Sequence, residues 1–191
     1  VITGLGPVTA FGIGIDPLWD AMLAGRSAIA RITQFDPSGF RCQVAAEFPR
    51  DRFEARSIVP KSYRKATKVM CRDIDFAVGA ADAAVRDAGL VTHATDPDTT
   101  PTIPPSRFGC HIGAGLISAD LDELTASLNM SRAADGSVDL AHWGSAGMQT
   151  LTPLWLLKYL PNMLACHVAI VHACRGPSNT IACCESSSTL S

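Results

Sequence analysis

Short apolar runs alternate along the chain with longer segments whose apolar residues recur every three or four positions. Val1 to Thr3 predicts a strand that runs into Gly4-Leu5-Gly6 and a glycine-bearing loop through Thr9, Phe11, Gly12 and Gly14. Asp16-Pro17 predicts a helix start, with Asp16 as N-cap and Pro17 at the first helical position. Leu18, Trp19 and Met22 then share one side, and Gly25 closes the helix. Phe35-Asp36-Pro37-Ser38-Gly39 reads as a turn. Cys42, Val44 and Ala46 alternate with other residues as in a half-buried strand. The clearest helical pattern runs from Lys65 to Ala88, with Val69, Met70, Ile74, Ala77, Val78, Ala81 and Val85 at helical spacing and Gly89 following. Residues 92–106, rich in Pro, Thr and Asp, read as a surface linker. Phe108 to Gly113 predicts a second buried strand, Leu121 to Leu128 a helix, and residues 129–147 a loop excursion. Leu164, Val168 and Val171 predict a helix over Pro161 to Ala173 with Pro161 in its first turn, a strand being the alternative. Arg175-Gly176-Pro177 stops it. Thr180-Ile181-Ala182 follows as a short buried strand, and Glu185 to Ser188 turns out of it. Strands alternating with helices predict an α/β layered architecture with a largely parallel sheet.

Composition narrows the function classes. Of 191 residues, 47% are hydrophobic and 18% charged, enough to bury a sizeable core and far from the composition of a disordered chain. The formal net charge of −2 gives no electrostatic footprint for nucleic acid. The longest apolar run, Met163 to Ala173, is interrupted by His167 and His172 and is shorter than the roughly 18 residues of a membrane span. The start at Val1 has no basic n-region and no initiator Met, which predicts trimming or partial coverage at that end. The seven cysteines are odd in number, form no C-x-x-C pair and have no zinc spacing to His167 or His172. Most are expected to be small buried hydrophobes in a reducing cytoplasm, with no metal and no cofactor.

Four features carry candidate chemistry. Gly4-x-Gly6 after a strand is similar to the opening of a dinucleotide loop, but the third glycine would fall at Thr9 and no helix follows directly, so a tight turn is the reading. Lys61, Arg64, Lys65, Lys68 and Arg72 form a basic run that is either a solvated face or a landing patch for an acidic carrier protein. His111, His167 and His172 each sit in apolar sequence, as core histidines do. The sharpest feature is the stretch from Gly176 to Ser188, where a short strand breaks into small hydroxyl residues. Such an elbow presents a residue near a helix start, where backbone N–H groups favour a thiolate or an oxyanion.

These residues carry a resemblance. Val1-Ile2-Thr3-Gly4-Leu5-Gly6, Leu23-Ala24-Gly25-Arg26-Ser27, Phe35-Asp36-Pro37-Ser38-Gly39-Phe40, Asp87-Ala88-Gly89-Leu90, Asn162-Met163-Leu164-Ala165 with His167, and Gly176-Pro177-Ser178 occur in the order found in β-ketoacyl-acyl carrier protein synthases. The chain resembles the N-terminal half of these condensing enzymes over residues 1–191. The resemblance implies a thiolase-like fold of α-β-α-β-α layers, of which this is the first of two similar halves. It also implies acyltransfer in fatty-acid or polyketide synthesis, an acyl carrier protein as partner, and a homodimer or a heterodimer with a related chain. The family's two catalytic histidines and its lysine lie in the second half, and a half-fold exposes a large apolar face.

One departure stands out. The family's nucleophilic cysteine lies nine residues after the glycine of its Gly-Pro step, and from Gly176 that count reaches Glu185. Cys184 sits one position early and Cys183 two, which on a strand puts the Cys184 side chain on the other face. An acyl-glutamyl anhydride is a labile carrier, so ordinary condensation at Glu185 is disfavoured. Relatives with Gln at this position decarboxylate malonyl groups or act as chain-length factors. The expected site is therefore Glu185, with its backbone N–H as an oxyanion donor and Cys184 as the lesser candidate. Asn179, Thr180, Ile181, Ala182 and Cys183 are candidates for the acyl pocket or a dimer interface. The readings that follow are malonyl-carrier decarboxylation, a non-catalytic chain-length-factor-like partner, and a redox or metal protein using Cys183-Cys184.

Overall fold

The computed structural model describes residues 1–49, 51–115 and 117–191. The core forms where two apolar helix faces meet over one parallel strand pair. Helix α2 (Arg72–Asp87) contributes Ile74 and Val78, both fully buried, and α5 (Asn162–His172) contributes Leu164, Val168 and Val171. Beneath them β5 (Cys110–Gly113) pairs in parallel with β6 (Ser178–Ile181), Cys110 opposite Ser178 and Gly113 opposite Ile181. Met70, Cys71, Ala55, Val59 and Ile117 close the edges of this cluster.

The remaining strands form two antiparallel hairpins. β1 (Val8–Thr9) pairs with β2 (Gly12–Ile13), and β3 (Ile29–Arg31) with β4 (Val44–Ala46). Among the described residues the largely parallel sheet is thus reduced to one parallel pair. Val1 to Thr3 forms no strand. That segment leads instead onto α2, where the Leu5 N–H donates to Asp87 Oδ2 at 2.8 Å. Gly6 makes this approach possible: a Cβ there would lie 2.0 Å from the Ala80 carbonyl oxygen and 2.5 Å from the Ala84 nitrogen.

Helix α1 (Ile15–Leu23) starts two residues earlier than Asp16 as N-cap and Pro17 as first helical residue suggested, so Asp16 lies inside its first turn and makes no cap bond. Its apolar side is not a core face: Trp19 is 56% exposed and Met22 and Leu23 are also open, leaving Ala21 as the helix's buried residue. The β4 alternation is also inverted. Ala45 is half-buried while Cys42, Val44 and Ala46 are exposed, because the described residues place no layer over that face of the β3–β4 hairpin.

The long helix expected over Lys65 to Ala88 is interrupted. Residues Lys61–Val69 form a 3-10 helix, Met70 and Cys71 are extended, and α2 begins at Arg72. Burial explains the break. Met70 and Cys71 turn into the core, and the Arg72 guanidinium lies 4.5 Å from the Phe76 ring centroid while donating to the Phe53 carbonyl at 2.7 Å. Such packing outweighs the weak preference for continuing a helix.

Residues 129–147 contain more order than a loop excursion. Helix α3 (Leu121–Met130) extends into them, and Asp139 caps α4 (Leu140–Ser145) by accepting the Ala141 and His142 N–H groups at 2.9 and 3.0 Å. Buried Ser127 and Ser131 pin the unit: Ser127 Oγ donates to the Gly147 carbonyl and Ser131 Oγ to the Ser127 carbonyl. Lys158 then pairs with Glu123, which also accepts the Tyr159 hydroxyl at 2.8 Å, tying the segment that follows residues 129–147 to α3.

Candidate active site

The elbow after β6 is held by one hydroxyl. Ser187 is 3% exposed at the start of α6 (Ser187–Leu190). Its Oγ accepts the Cys183 N–H at 2.9 Å and donates to the Cys184 carbonyl at 2.6 Å. The Ser186 and Ser187 N–H groups donate back to the Cys183 and Cys184 carbonyls. Cys184 is left-handed at φ 50°, a conformation unusual for a residue with a Cβ. Beneath the elbow β5 comes so close that a Cβ on Gly113 would lie within 2.6 Å of the Ser187 backbone. The turn is therefore clamped from below and from within.

Strand geometry ends at Ile181, one residue before the expected Ala182. The face argument that set Cys184 aside does not hold past that point, because the left-handed turn breaks the alternation. Ala182, Cys183, Cys184 and Glu185 are all exposed. The Glu185 carboxylate has no hydrogen-bond or ion-pair partner among the described residues, and its backbone lies in the turn entering α6. Thr180 and Ile181 are half-buried, whereas Asn179 is exposed with its Oδ1 accepting the Thr180 N–H at 2.8 Å. β6 pairs with β5 along one edge, and its other edge is open among the described residues.

The basic run divides. Lys61, Lys65 and Lys68 are exposed on the 3-10 helix. Arg64 is half-buried, and Arg72 is committed to Phe53, Asp75, Phe48 and Phe76. The surface that remains for an acidic partner is thus three lysines. A groove of about 1020 Å³ is lined by Phe48, Arg56, Lys68, Arg72, Phe76 and Asp120 among others; no elbow residue lines it.

The cysteines differ by environment. Cys71 and Cys110 are buried and Cys174 is half-buried, and burial pushes their thiols up, Cys174 to about 11 with nearby Cys110 adding to the effect. None is a candidate nucleophile. In the intact protein these three are expected to resist iodoacetamide at pH 8 until denaturant is added, as read by peptide mass mapping. Labelling of Cys174 in the native state at the rate of a free thiol would contradict this assignment. Only Cys71 and Cys110 are buried, while Cys166 and Cys174 are half-buried and Cys42, Cys183 and Cys184 exposed, so the expectation that most of the seven are buried does not hold. No group of three His, Cys, Asp or Glu residues able to hold a metal forms among the described residues.

The histidines also separate. His111 is exposed, not core. His167, 3% exposed, holds the Tyr63 hydroxyl at Nδ1 over 2.8 Å, and His172, 2% exposed, holds the Thr92 hydroxyl at Nδ1 over 2.9 Å. Neither belongs to the elbow. Sequence reasoning missed Ser187 as the clamp. Its signal was a serine four residues after a strand-end cysteine, a spacing too common in loops to single out.

The architecture and the elbow together match one family. The family model described as "Beta-ketoacyl synthase, N-terminal domain" matches residues 1–191. A 3-oxoacyl-[acyl-carrier-protein] synthase 2 of Coxiella burnetii is 32% identical over 186 residues, covering 95% of this chain and 37% of that protein. The actinorhodin polyketide putative beta-ketoacyl synthase 1 of Streptomyces coelicolor is 34% identical over 178 residues, covering 93% of this chain and 33% of its own length. In three dimensions the ishigamide ketosynthase/chain length factor superposes with a TM-score of 0.64 at 24% identity, over 95% of this chain and 39% of that one. The chain belongs to the β-ketoacyl synthase family and corresponds to its N-terminal domain, a single half of the thiolase-like fold. It spans less than two fifths of the length of these relatives. Among the described residues no helix is long and apolar enough to cross a membrane.

Proposed function

We propose that the protein containing this chain acts on malonyl thioesters of an acyl carrier protein in fatty-acid or polyketide synthesis, removing carbon dioxide without forming an acyl-enzyme at residue 185. What supports this reading is Glu185 nine residues after Gly176, where the resemblance puts the family's nucleophile, with its carboxylate exposed and without a partner among the described residues. In the reaction the bond between the thioester α-carbon and the carboxylate breaks. Carbon dioxide leaves, the electron pair passes into an enolate, and a proton from solvent gives the acetyl thioester. No covalent link to the enzyme is required. The Glu185 backbone N–H, at the turn into α6, is one donor to the enolate oxygen. Lys61, Lys65 and Lys68 form the landing surface for the acidic carrier protein, and the site works in the cytoplasm.

A second reading is a chain-length-factor-like subunit of an active ketosynthase. The open edge of β6 with exposed Asn179 favours it, since an unpaired edge invites a partner strand, from a second copy or a related chain. One experiment separates the two. The intact protein is incubated with malonyl carrier and with a long-chain acyl carrier, and carbon dioxide and intact mass are recorded. Carbon dioxide above background with no adduct at residue 185 supports decarboxylation. No release, together with co-elution with a ketosynthase chain, supports the partner reading. A stable acyl adduct mapped to Cys184 overturns both and makes the left-handed cysteine the nucleophile.

A further inference from the structure

The exposed lysines sit on an uncommon element. Lys61–Val69 is a 3-10 helix of nine residues, none of them buried. Such a helix repeats every three residues, and its poorly aligned hydrogen bonds leave a run of this length in need of outside support. The repeat sorts the side chains into edges. Ser62, Lys65 and Lys68 share one edge, and all three are exposed; Tyr63, Ala66 and Val69 share another, and all three are half-buried. The flanks are fixed, because Val59 and Met70 are both buried in the core. A short helix held at its two ends can still roll about its axis, and a roll carries the lysine edge with it.

One contact sets that roll. The Tyr63 hydroxyl lies 2.8 Å from Nδ1 of His167 on α5, and the two rings meet edge-on with centroids 5.8 Å apart. His167 is buried on the helix that also supplies Leu164, Val168 and Val171 to the core, so the anchor point is rigid. Among the described residues this is the one side-chain hydrogen bond from the 3-10 helix to another element. Thr67 bonds within the helix, to the Arg64 carbonyl, and the buried Arg64 Nε has no partner.

We propose that Tyr63 and His167 are positioning residues for carrier binding: their hydrogen bond fixes the rotational setting of the 3-10 helix against α5 and so aims Lys65 and Lys68 at the acidic carrier protein. The proposal rests on the reading of the three lysines as the carrier's landing surface. Neither Tyr63 nor His167 touches the carrier. Without their bond no directional contact selects one roll, and the lysine ammonium groups spread over more orientations. Charge steering survives such spreading, because it depends on net charge and distance. The close ion pairs that hold the docked carrier do not, so the defect falls on dissociation rather than association.

The test uses the intact protein and a fluorescently labelled malonyl carrier protein. Tyr63→Phe keeps the ring against the core and removes the hydroxyl. Amide hydrogen exchange over residues 61–69 is expected to be about tenfold faster in this variant, with α2 unchanged. Carrier affinity, read by anisotropy, is expected to weaken about fivefold through faster dissociation at an unchanged association rate. A cycle with the double variant Lys65→Ala, Lys68→Ala separates aiming from general loosening. Once both lysines are gone, adding Tyr63→Phe is expected to weaken binding by less than about twofold. The double lysine variant alone tests the landing surface: if it binds carrier as tightly as wild type, that reading fails and this one with it. If it binds more weakly, the landing surface stands. Exchange or affinity unmoved by Tyr63→Phe, or losses that multiply in full in the combined variant, then overturns the positioning role by itself.

Discussion

Glu185→Gln is expected to release carbon dioxide from a malonyl carrier thioester about tenfold faster than wild type, and Glu185→Cys to release less while accumulating an acyl adduct. The first effect is electrostatic. Decarboxylation builds negative charge on the thioester oxygen and α-carbon, and an ionised carboxylate facing that charge raises the barrier. Removing a like charge worth about 1.4 kcal/mol at the transition state gives a factor of ten. Gln keeps the size and can donate a hydrogen bond. The second effect is chemical. A thiol at residue 185 accepts an acyl group by attack on the carrier thioester, with the carrier thiol leaving and taking the proton, and the thioester formed is stable where an anhydride is not. Stopped assays for carbon dioxide and intact-mass spectra read both. A Gln variant slower than wild type would show that the carboxylate itself takes part. A Cys variant that never acylates would place the acyl-accepting geometry elsewhere, with Cys184 the next position to examine.

The largest structural effect is expected at Gly6. Gly6→Ala places a methyl group within van der Waals overlap of the α2 backbone at Ala80 and Ala84, atoms that cannot swing aside as a side chain does. Relief requires the opening segment to lift off α2 and give up the Leu5 bond to Asp87. The cost is expected to be about 3 kcal/mol or more, at the upper end for overpacking. Gly39→Ala, where nothing lies within 4 Å, serves as the control and is expected to stay within about 0.5 kcal/mol of wild type. Urea unfolding of the intact protein measures the difference. Equal midpoints for the two variants would show that the opening segment does not rest on α2.

The parts of the fold that could be read in the sequence are those in which one helix face settles the matter. Leu164, Val168 and Val171 marked α5, and Ile74, Val78 and Val85 marked α2, because burial on one side imposes the helical repeat. What failed depended on contacts from afar. Nothing in the spacing of Met70 and Cys71 announced that they would turn inward and end a helix; the reason is the hold of Phe53, Phe48 and Phe76 on Arg72. Leu18, Trp19 and Met22 looked like one core-facing side, yet Trp19 and Met22 are open, since an amphipathic pattern shows which side wants cover but not whether cover is present. Asp139 caps α4 inside residues 129–147, which read as a loop because the Gly, Ala, Ser and Asp around it hide so short a helix. At the elbow, counting from Gly176 placed residue 185 in the turn. Strand alternation misjudged Cys184, because a single left-handed residue cancels the two-residue repeat.

The Ser187 clamp has a consequence for how this site can change. It fixes a length, from the end of β6 to the first turn of α6, with one hydroxyl touching the backbone at both Cys183 and Cys184. Side chains at residues 184 and 185 take no part in those bonds. Thiol, carboxylate or amide can therefore be exchanged there without redrawing the turn, whereas adding or removing one residue between Ile181 and Ser187 would misplace all of them at once. The scaffold is a ruler that is strict about spacing and indifferent to chemistry, and so the same bend can carry a thiol, a carboxylate or an amide at residue 185.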